Sequence, residues 1–390
     1  MYRIGKEEID AVARTINSKD FFKINGSGQE VKNFELEWKE YMGSEYCILM
    51  TSGMGALTSA LIALGIGPGD EVIVPGYTYI ATALAVTSVG AIPVIADIDE
   101  TLTLDPVEFE KKITRHTKAV IPVHIMGFPC KMDEICAIAK AHGVAVVEDA
   151  CQSIGGKFGD KFLGSIGDIG AYSFNYYKVL TAGEGGALIT NNSSYFERAL
   201  IYHDSAAVAF FGNQLENSSE AVFGGTEYRV SDITGAILRE QLKKLPNIIA
   251  DLHKNKFALI DMLDGKAKVA PSHDCEGDCA TTLSLRFESA EECKAFADKC
   301  GENGLSVTIP INTGKHIYTN WTQIMEKRGA FHPLMDPFKM EANKGLQTDY
   351  TMDMCPKTLD LLARTAYVGI DPDWTAEQLQ KTAEIINSSL

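Results

Sequence analysis

The chain has 390 residues, of which 45% are hydrophobic and 23% charged, so it can bury a large core and is long enough for two or three domains. Its 36 basic against 52 acidic residues give a net charge of -16, which argues against nucleic acid or an anionic membrane as a partner. Nine scattered cysteines, with no apolar run of signal-peptide or membrane-spanning length, indicate a cytoplasmic protein without a metal site, in which Cys275 and Cys279 are loop cysteines.

The first half of the chain alternates short apolar runs with helical patterns, which is typical of βαβ units that build a mostly parallel sheet. The predicted strands are 71–75, 92–96, 118–124, 144–148, 170–174 and 187–190, and the predicted helices are 55–64, 80–88 and 132–142. We therefore predict an α/β fold for this half.

A long amphipathic pattern at about 231–263 predicts a helix that connects two domains. A strand at 281–287, a helix at 290–301 and a final helix follow, and the final helix opens at Thr375 with Gln378 at capping-box spacing. We predict a large domain over residues 1–245 and a small α+β domain over 246–390.

Three features carry chemistry, and the first is an acidic residue after an apolar strand. Residues 144–147 are apolar on both faces, as expected of a central parallel strand, and lead directly to Asp149. Ligands of open α/β sheets bind at the carboxyl ends of strands, so Asp149 is a candidate ligand contact. An aspartate that merely ends a strand or caps a turn remains an equal alternative.

The second feature is Lys178, which lies between the apolar strand at 170–174 and the glycine-rich segment 181–186. Glycines allow the backbone to approach a ligand closely, and a lysine partly withdrawn from water has the less charged amine that imine formation requires. A solvated surface lysine is the ordinary alternative.

The third feature is the small-residue turn at 51–57, which leads into a helix. Such a turn presents free N–H groups and the positive end of a helix dipole to an anion such as a phosphate. A plain helix cap by Ser52 is the alternative, and in isolation it is favoured.

Pyridoxal phosphate (PLP) requires all three features: an anchor for its phosphate, a carboxylate beside its pyridine nitrogen and a lysine that forms a Schiff base. The chain has neither the glycine pattern of dinucleotide-binding folds nor a P-loop. The combination predicts a PLP enzyme in which Lys178 carries the cofactor.

Further distinctive segments are 67–75, 122–124, 148–153, 164–168 and 173–186. Over essentially its whole length, the sequence strongly resembles the DegT/DnrJ/EryC1/StrS family of sugar aminotransferases. The resemblance implies the fold-type I (aspartate aminotransferase-like) architecture, with a mostly parallel mixed sheet in the large domain.

The resemblance also implies roles for individual residues. Lys178 would form the internal aldimine, Asp149 would contact the pyridine nitrogen, and Gln152 would lie near the ring hydroxyl. The other implied cofactor contacts are Ser173 and the backbone of Gly53 and Met54 at the phosphate, and Tyr79 on the ring face. From the residues alone, Tyr79 would be taken as a core aromatic.

The sequence departs from the family pattern at two positions. Met54 stands where the family usually has threonine, which removes one side-chain contact to the phosphate. Glu227 stands where the family has an asparagine that reaches the phosphate across a dimer interface. Glu227 would therefore turn away, be neutralised by a partner such as Arg229, or serve the substrate.

Within the family, segments 130–135 and 316–321 are most similar to the enzymes that aminate C8 of 3-deoxy-octulosonate, the 8-amino-3,8-dideoxy-octulosonate transaminases. Most relatives act on nucleotide-linked keto sugars. The resemblance thus implies ping-pong transfer of an amino group, with glutamate as donor, to a keto or aldehydo sugar. It further implies a homodimer with shared active sites, and His316 is a candidate substrate contact.

Three other functions stay open. A PLP-dependent sugar dehydratase would have histidine in place of Lys178. A regulatory PLP-binding protein would keep Lys178 and Asp149 but show no turnover. An enzyme acting on amino acids would need an arginine for the substrate carboxylate, for which Arg364 is the obvious candidate.

Overall fold

The central sheet contains seven strands within the described residues, in the order β1-β9-β8-β5-β4-β2-β3. The computed structural model describes residues 3–24, 29–210, 215 and 218–390. The strands are β1 (Tyr46–Met50), β2 (Glu71–Pro75), β3 (Ile92–Ala96), β4 (Thr117–Val120), β5 (Ala145–Asp149), β6 (Lys157–Phe158), β7 (Lys161–Phe162), β8 (Ile169–Ser173), β9 (Gly186–Thr190), β10 (Thr282–Arg286) and β11 (Thr365–Gly369).

The α-helices alternate with these strands in the first half and surround the smaller sheet in the second. They are α1 (Lys6–Ser18), α2 (Glu30–Met42), α3 (Gly53–Ala63), α4 (Ala81–Ser88), α5 (Pro106–Lys112), α6 (Met132–His142), α7 (Ser193–His203), α8 (Asp232–Asp261), α9 (Ala290–Glu302), α10 (Thr322–Met325), α11 (Pro356–Ala363) and α12 (Ala376–Ser389). None of the helices in the described ranges is long and apolar enough to cross a membrane.

The five strands β8, β5, β4, β2 and β3 run parallel, whereas β9 is antiparallel to both of its neighbours, β8 and the edge strand β1. Every residue of β2, β3, β8 and β9 is buried, which explains why these strands are apolar on both faces. The predicted α/β fold with a mostly parallel mixed sheet is confirmed.

Hydrophobic clusters lie on both faces of the sheet. In β1, Ile48 and Met50 pack into one core and Cys47 and Leu49 into the other, because successive side chains of a strand point to opposite faces. Trp38 of α2 fills the second core. The sheet is therefore covered by helices on both sides, and its strand ends are the accessible edges.

The predicted strand 118–124 was too long. β4 ends at Val120, and Pro122, which lacks an N–H group, follows in extended backbone. Val123 still bridges Asp149 in parallel fashion, and the N–H of His124 donates to the Asp149 carbonyl at 3.1 Å. The sheet thus continues irregularly as far as the end of β5.

The second half contains the predicted long helix as α8, which has Pro246 inside it, and the two-stranded antiparallel sheet of β10 and β11. The final helix α12 begins with the predicted capping box between Thr375 and Gln378. The predicted domain boundary at residue 245 falls inside α8, and the division into two domains stays a prediction.

The segment around His316 returns to the large sheet. The N–H groups of Thr78 and Ile80 donate to the carbonyls of His316 and Lys315 at 2.9 and 3.0 Å, and Tyr318 N–H donates to Gly76 at 3.0 Å. Because residues 76–80 follow β2 directly, these bonds bring His316 to the carboxyl end of the parallel strands.

Candidate active site

Asp149 is the last residue of β5 and is buried at the carboxyl edge of the sheet. Its Oδ2 accepts a hydrogen bond from Thr82 Oγ1 at 2.8 Å, and its Oδ1 accepts one from the Cys151 N–H at 3.1 Å. Each oxygen thus has one donor and keeps a further lone pair for a ligand. The sequence reasoning missed Thr82, since a threonine in the first turn of a helix carries no signal of its own.

Glu148 points away from Asp149, because adjacent residues of a strand face opposite sides. It is fully buried and accepts hydrogen bonds from His124 Nε2 at 3.0 Å and from three backbone N–H groups. Those groups belong to Gly164, Ile166 and Gly167. His124 Nδ1 accepts from the Cys130 N–H at 3.1 Å, so its proton is on Nε2 and is donated to Glu148. This pair, to which sequence reasoning gave no role, fixes the end of β5.

Lys178 lies in the turn after β8 and is half-buried, with its main-chain N–H donating to the Asn175 carbonyl at 2.9 Å. No hydrogen bond or ion pair of its ammonium is found within residues 3–24, 29–210, 215 and 218–390. Its positive charge opposes the rise in the pKa of the Cys151 thiol that burial and Asp149 cause, and it helps to lower the pKa of His316. The lysine is therefore close to both residues and uncommitted.

The turn before α3 combines a helix cap with free donors. Ser52 Oγ accepts from the Gly55 N–H at 3.0 Å, as the capping interpretation predicted. The N–H groups of Gly53 and Met54 find no acceptor in the described part of the chain. A Cβ on Gly53 would lie 2.9 Å from Ser173 Cβ and 2.7 Å from Cys151 Sγ, so the turn touches the ends of β8 and β5. An anion at this turn would meet two backbone donors and the Ser173 hydroxyl.

Tyr79 is 41% exposed, so the interpretation of this ring as a core aromatic is wrong. Its ring centroid lies 5.5 Å from that of His316, at an interplanar angle of 55°. A cavity of about 400 Å³ opens beside them, lined also by Lys315, Asn320 and Gln323. Tyr79 thus forms a wall of an accessible site.

His316 is predominantly in the neutral form at pH 7. Burial lowers its pKa from the ordinary value, and the charges of Lys178 and Lys315 lower it further. Its Nδ1 is buried and has no hydrogen-bond partner among the residues described. A buried nitrogen without a partner can still form a hydrogen bond with a bound molecule that reaches it.

Gln152 follows Asp149 by three positions and is half-buried. Its Oε1 accepts a hydrogen bond from the Met126 N–H at 3.2 Å. This bond fixes the orientation of the amide, whose NH₂ group remains as a donor.

Glu227 is paired with Arg229, which is one of the three arrangements predicted for it. Its Oε2 forms an ion pair with the Arg229 guanidinium, and its Oε1 accepts from the Arg229 N–H at 2.8 Å. The neighbouring Tyr228 carbonyl accepts from the Thr51 N–H at 2.9 Å. The Glu227 segment is therefore hydrogen-bonded to the turn before α3, but the charge of the Glu227 carboxylate is paired with Arg229.

Arg364 lies apart from this group of residues. Its guanidinium donates to Asp360 at 2.7 Å and to the Phe287 carbonyl at 3.3 Å, at the small sheet. These contacts give no support to a role for Arg364 in binding a substrate carboxylate.

The residues present fit PLP in three respects. Asp149 is a buried carboxylate with donors on both oxygens, Lys178 is an uncommitted amine, and Gly53 and Met54 offer free N–H groups beside Ser173. A ring-nitrogen donor, an aldehyde and a phosphate are complementary to these groups in that order.

Comparison with known proteins supports the same chemistry. The model of the DegT/DnrJ/EryC1/StrS aminotransferase family matches residues 2–387. The spore coat polysaccharide biosynthesis protein SpsC of Bacillus subtilis is 40% identical over 251 residues, which cover 63% of each chain. The GDP-perosamine synthase of Caulobacter vibrioides is 38% identical over 230 residues, 58% of this chain and 60% of that protein. These alignments therefore span about three fifths of the curated relatives.

Among solved structures, the aminotransferase from Psychrobacter cryohalolentis superposes with a TM-score of 0.82 and 26% identity, covering 99% of this chain and 96% of that one. The likeness extends over both sheets. Together with the observed strand order, it confirms the fold-type I architecture that the sequence resemblance implied.

Proposed function

Because the chain belongs to the DegT/DnrJ/EryC1/StrS aminotransferase family, we propose that it is a PLP-dependent sugar aminotransferase that uses glutamate as amino donor. The observations that carry the proposal are the buried Asp149 carboxylate at the carboxyl edge of the parallel sheet and the Lys178 ammonium, which lies close to Cys151 and His316 and has no partner among the described residues. When bound, PLP supplies the aldehyde that accepts the amino group and the ring that disperses negative charge.

Each residue of the site has a task that its environment supports. Asp149 would accept the ring N–H, because each of its oxygens keeps a lone pair beyond the hydrogen bond that it already accepts. Lys178 would hold the cofactor through its Nζ, and the same amine, when free, would move a proton to and from the substrate carbon. Gln152 donates its NH₂ group to the ring hydroxyl, and Tyr79 covers the ring face.

The phosphate is held at the α3 turn. The N–H groups of Gly53 and Met54 and the hydroxyl of Ser173 supply the donors, and the dipole of α3 adds positive potential. Met54 provides no side-chain hydroxyl, so the backbone contributes more of the binding than it does where the family has threonine.

The amino acceptor is a keto or aldehydo sugar, either nucleotide-linked or 8-oxo-3-deoxy-octulosonate. The names of the two curated relatives, which concern perosamine and spore coat polysaccharide, support sugar chemistry. The cavity beside Tyr79, with Lys315 and Asn320 in its wall, has room for a polar substrate. His316, whose ring packs near that of Tyr79, is the proposed substrate contact. A panel of both sugar classes with product mass as readout separates them.

The enzyme is a cytoplasmic homodimer whose active sites are shared. Tyr176 and Tyr177, next to Lys178, are 58% and 78% exposed, and such aromatic surface beside a site is typical of an interface. The Glu227 segment then contributes to the neighbouring site. Nine free cysteines support a reducing compartment. Light scattering should give twice the chain mass of 42.5 kDa.

Two alternatives are weighed against this function. A sugar dehydratase of this family would carry histidine at position 178, where this chain has lysine. A regulatory protein that binds PLP without turnover would retain the whole site and is distinguished by the half-reaction with glutamate.

The central test is the half-reaction of the PLP-loaded protein with glutamate, followed by visible absorbance. We expect the cofactor band to convert to that of the amine form in the native protein. Lys178→Ala should lose both the original band and turnover, because it removes the amine proposed to hold the cofactor. Lys161→Ala, which alters an exposed lysine of β7, serves as the control and should behave as the native protein.

Retention of band and turnover by Lys178→Ala would show that another lysine holds the cofactor. The absence of any spectral change with every amino donor would refute the aminotransferase function itself.

A further inference from the structure

Thr82 is a buried threonine that contacts Asp149 across 67 positions of sequence. It lies in the first turn of α4, and its Oγ1 is 2.8 Å from Asp149 Oδ2. We propose that Thr82 is a positioning residue, which holds the Asp149 carboxylate in the orientation that keeps the cofactor ring nitrogen protonated. The inference rests on the role of Asp149 proposed above.

The direction of the hydrogen bonds follows from the acceptors available. Thr82 has one hydroxyl proton and three oxygen neighbours: Asp149 Oδ2, the Tyr79 carbonyl at 3.2 Å and Thr78 Oγ1 at 2.7 Å. The carboxylate is the strongest acceptor of the three, so it takes the Thr82 proton. Thr78 then donates to Thr82, which gives a buried chain from Thr78 through Thr82 to Asp149, and each bond polarises the next.

This chain fixes the carboxylate from one side while the backbone fixes it from the other. Oδ2 is held by Thr82 of α4, and Oδ1 by the Cys151 N–H that follows β5. Each oxygen keeps a second lone pair, so a ring N–H is still accepted. Neither the acidic nor the thiol neighbour in the chain adds charge at the Asp149 carboxylate, since burial raises the pKa of the Cys151 thiol and keeps it neutral, and Glu148 is turned to His124. The cation nearby is that of Lys178, whose charge is felt at Cys151.

Thr82 also joins Asp149 to the residue that covers the ring. The carbonyl of Tyr79 lies 3.2 Å from Thr82 Oγ1, and the main chain on either side of Tyr79 is bonded to residues 315 and 316. Loss of the Thr82 hydroxyl therefore releases the carboxylate and loosens the turn that carries Tyr79. A purely structural threonine would affect neither the ring protonation nor cofactor retention.

The test compares Thr82→Val, which removes only the hydroxyl, with Thr82→Ser, which keeps it. Enzyme reconstituted with nitrogen-15-labelled PLP reports ring protonation directly by NMR as a function of pH, and dilution reports the rate of cofactor release. We expect Thr82→Val to lose the ring proton at a pH about one unit lower and to release cofactor about tenfold faster. In Thr82→Ser, both the ring protonation equilibrium and the rate of cofactor release should stay within about twofold of the native values.

Thr87→Val is the matched control, because Thr87 is a buried threonine of the same helix whose hydroxyl donates to the Leu84 carbonyl at 3.0 Å. It should titrate and release cofactor as the native protein does. If Thr82→Val behaves like Thr87→Val in both measurements, Thr82 has no positioning role.

Asp149→Asn in the same series separates this inference from the proposed function. If Asp149→Asn loses the ring proton and Thr82→Val keeps it, Asp149 acts without Thr82. If Asp149→Asn also keeps it, the role of Asp149 is wrong and the inference about Thr82 falls with it.

Should Thr82→Val fail to fold, as judged by thermal unfolding of the cofactor-free protein, Thr78→Val replaces it. That change removes the donor to Thr82 and leaves the Thr82–Asp149 bond in place. We then expect the protonation equilibrium of the ring nitrogen to shift about threefold in the same direction. The absence of any such shift would overturn the proposal.

Discussion

His203, the last residue of α7, is a buried histidine whose pKa is lower in the folded protein than in the unfolded chain. Burial lowers its pKa well below the ordinary value of 6.5, and the charges of Lys23 and Arg229 lower it further. Its Nδ1 lies 3.0 Å from the Leu200 carbonyl, and its Nε2 is buried without a partner in the described ranges. The folded protein therefore holds this ring in its neutral form.

The consequence is a loss of stability in acid. Below pH 6.5 the unfolded chain takes up a proton at this histidine and the folded protein does not, so acidification favours unfolding. Between pH 7.5 and 5.5 the native protein should lose about 1.4 kcal/mol more unfolding free energy than His203→Gln. Denaturant unfolding at both pH values measures the difference. His332→Gln, at an exposed site, should retain the native pH dependence, and an identical dependence in His203→Gln would contradict the prediction.

At the scale of single residues, sequence reasoning could single out those candidates that have a distinctive pattern in the adjacent sequence. Asp149 follows an apolar strand and Lys178 precedes a glycine-rich turn, so local pattern was sufficient to single them out. Thr82 and His124 were not assigned because their partners, Asp149 and Glu148, lie 67 and 24 positions away. Such contacts arise only from the order of strands in the sheet.

Among the secondary-structure elements, the strands β1, β9 and β8 at one edge of the sheet pack closely against the turn before α3, which is the proposed phosphate site. Gly186 begins β9 and pairs with Met50 on one side and Ser173 on the other. A Cβ at Gly186 would lie 2.3 Å from the carbonyl carbon and oxygen of Ser52 and 2.7 Å from the nitrogen of Gly53. These are backbone atoms, so a side chain at this position displaces the turn itself.

Gly186→Ala should therefore lower the unfolding free energy by about 3 kcal/mol and weaken PLP binding at least about tenfold. Chemical denaturation of the cofactor-free protein and titration with PLP measure the two effects. Gly301→Ala in α9, where an added Cβ meets nothing within 4 Å, should leave PLP binding unchanged and stabilise the helix by about 1 kcal/mol. Native PLP affinity in Gly186→Ala would show that the turn does not hold the phosphate.

The predicted elements differ from the observed ones where local signals conflict with pairing. β2, β3 and α6 were predicted with the bounds that the structure shows, because each combines a clear period with flanking turn residues. β1 was missed, since its strand character depends on antiparallel pairing with β9. The excess length predicted for β4 reflects Pro122, which interrupts the hydrogen bonding of an otherwise apolar run.

In the molecule as a whole, the chain returns after β10 and contacts the seven-stranded sheet again. A division into two domains at residue 245 does not account for these contacts. The buried carboxylate of Glu71, at the start of β2, accepts from the Gln347 N–H at 2.8 Å. Tyr350 Oη donates to the Pro93 carbonyl at 2.7 Å. Composition cannot reveal this return, because the segment contains 3₁₀ turns rather than long periodic elements.

Asp97, just after β3, carries the last of these attachments. It is 8% exposed and accepts hydrogen bonds from the N–H groups of Thr358 at 2.6 Å and Lys357 at 3.2 Å, so it caps α11 from the end of β3. Asp97→Ala would leave first-turn N–H groups of that helix unsatisfied, at a cost of about 2–3 kcal/mol. We expect this loss to shift one cooperative unfolding transition, because the returning segment joins both sheets.

The comparison is with Ser289→Ala, which removes the cap of α9, a helix whose cap bond to Glu292 is local and does not reach the large sheet. That change should lower the unfolding free energy by about 1 kcal/mol, and the protein should still unfold in one transition. Calorimetry distinguishes the alternatives, since separate domains would give two transitions. An early transition that appears in Asp97→Ala, with the main one unmoved, would mean that the second half unfolds independently of the large sheet.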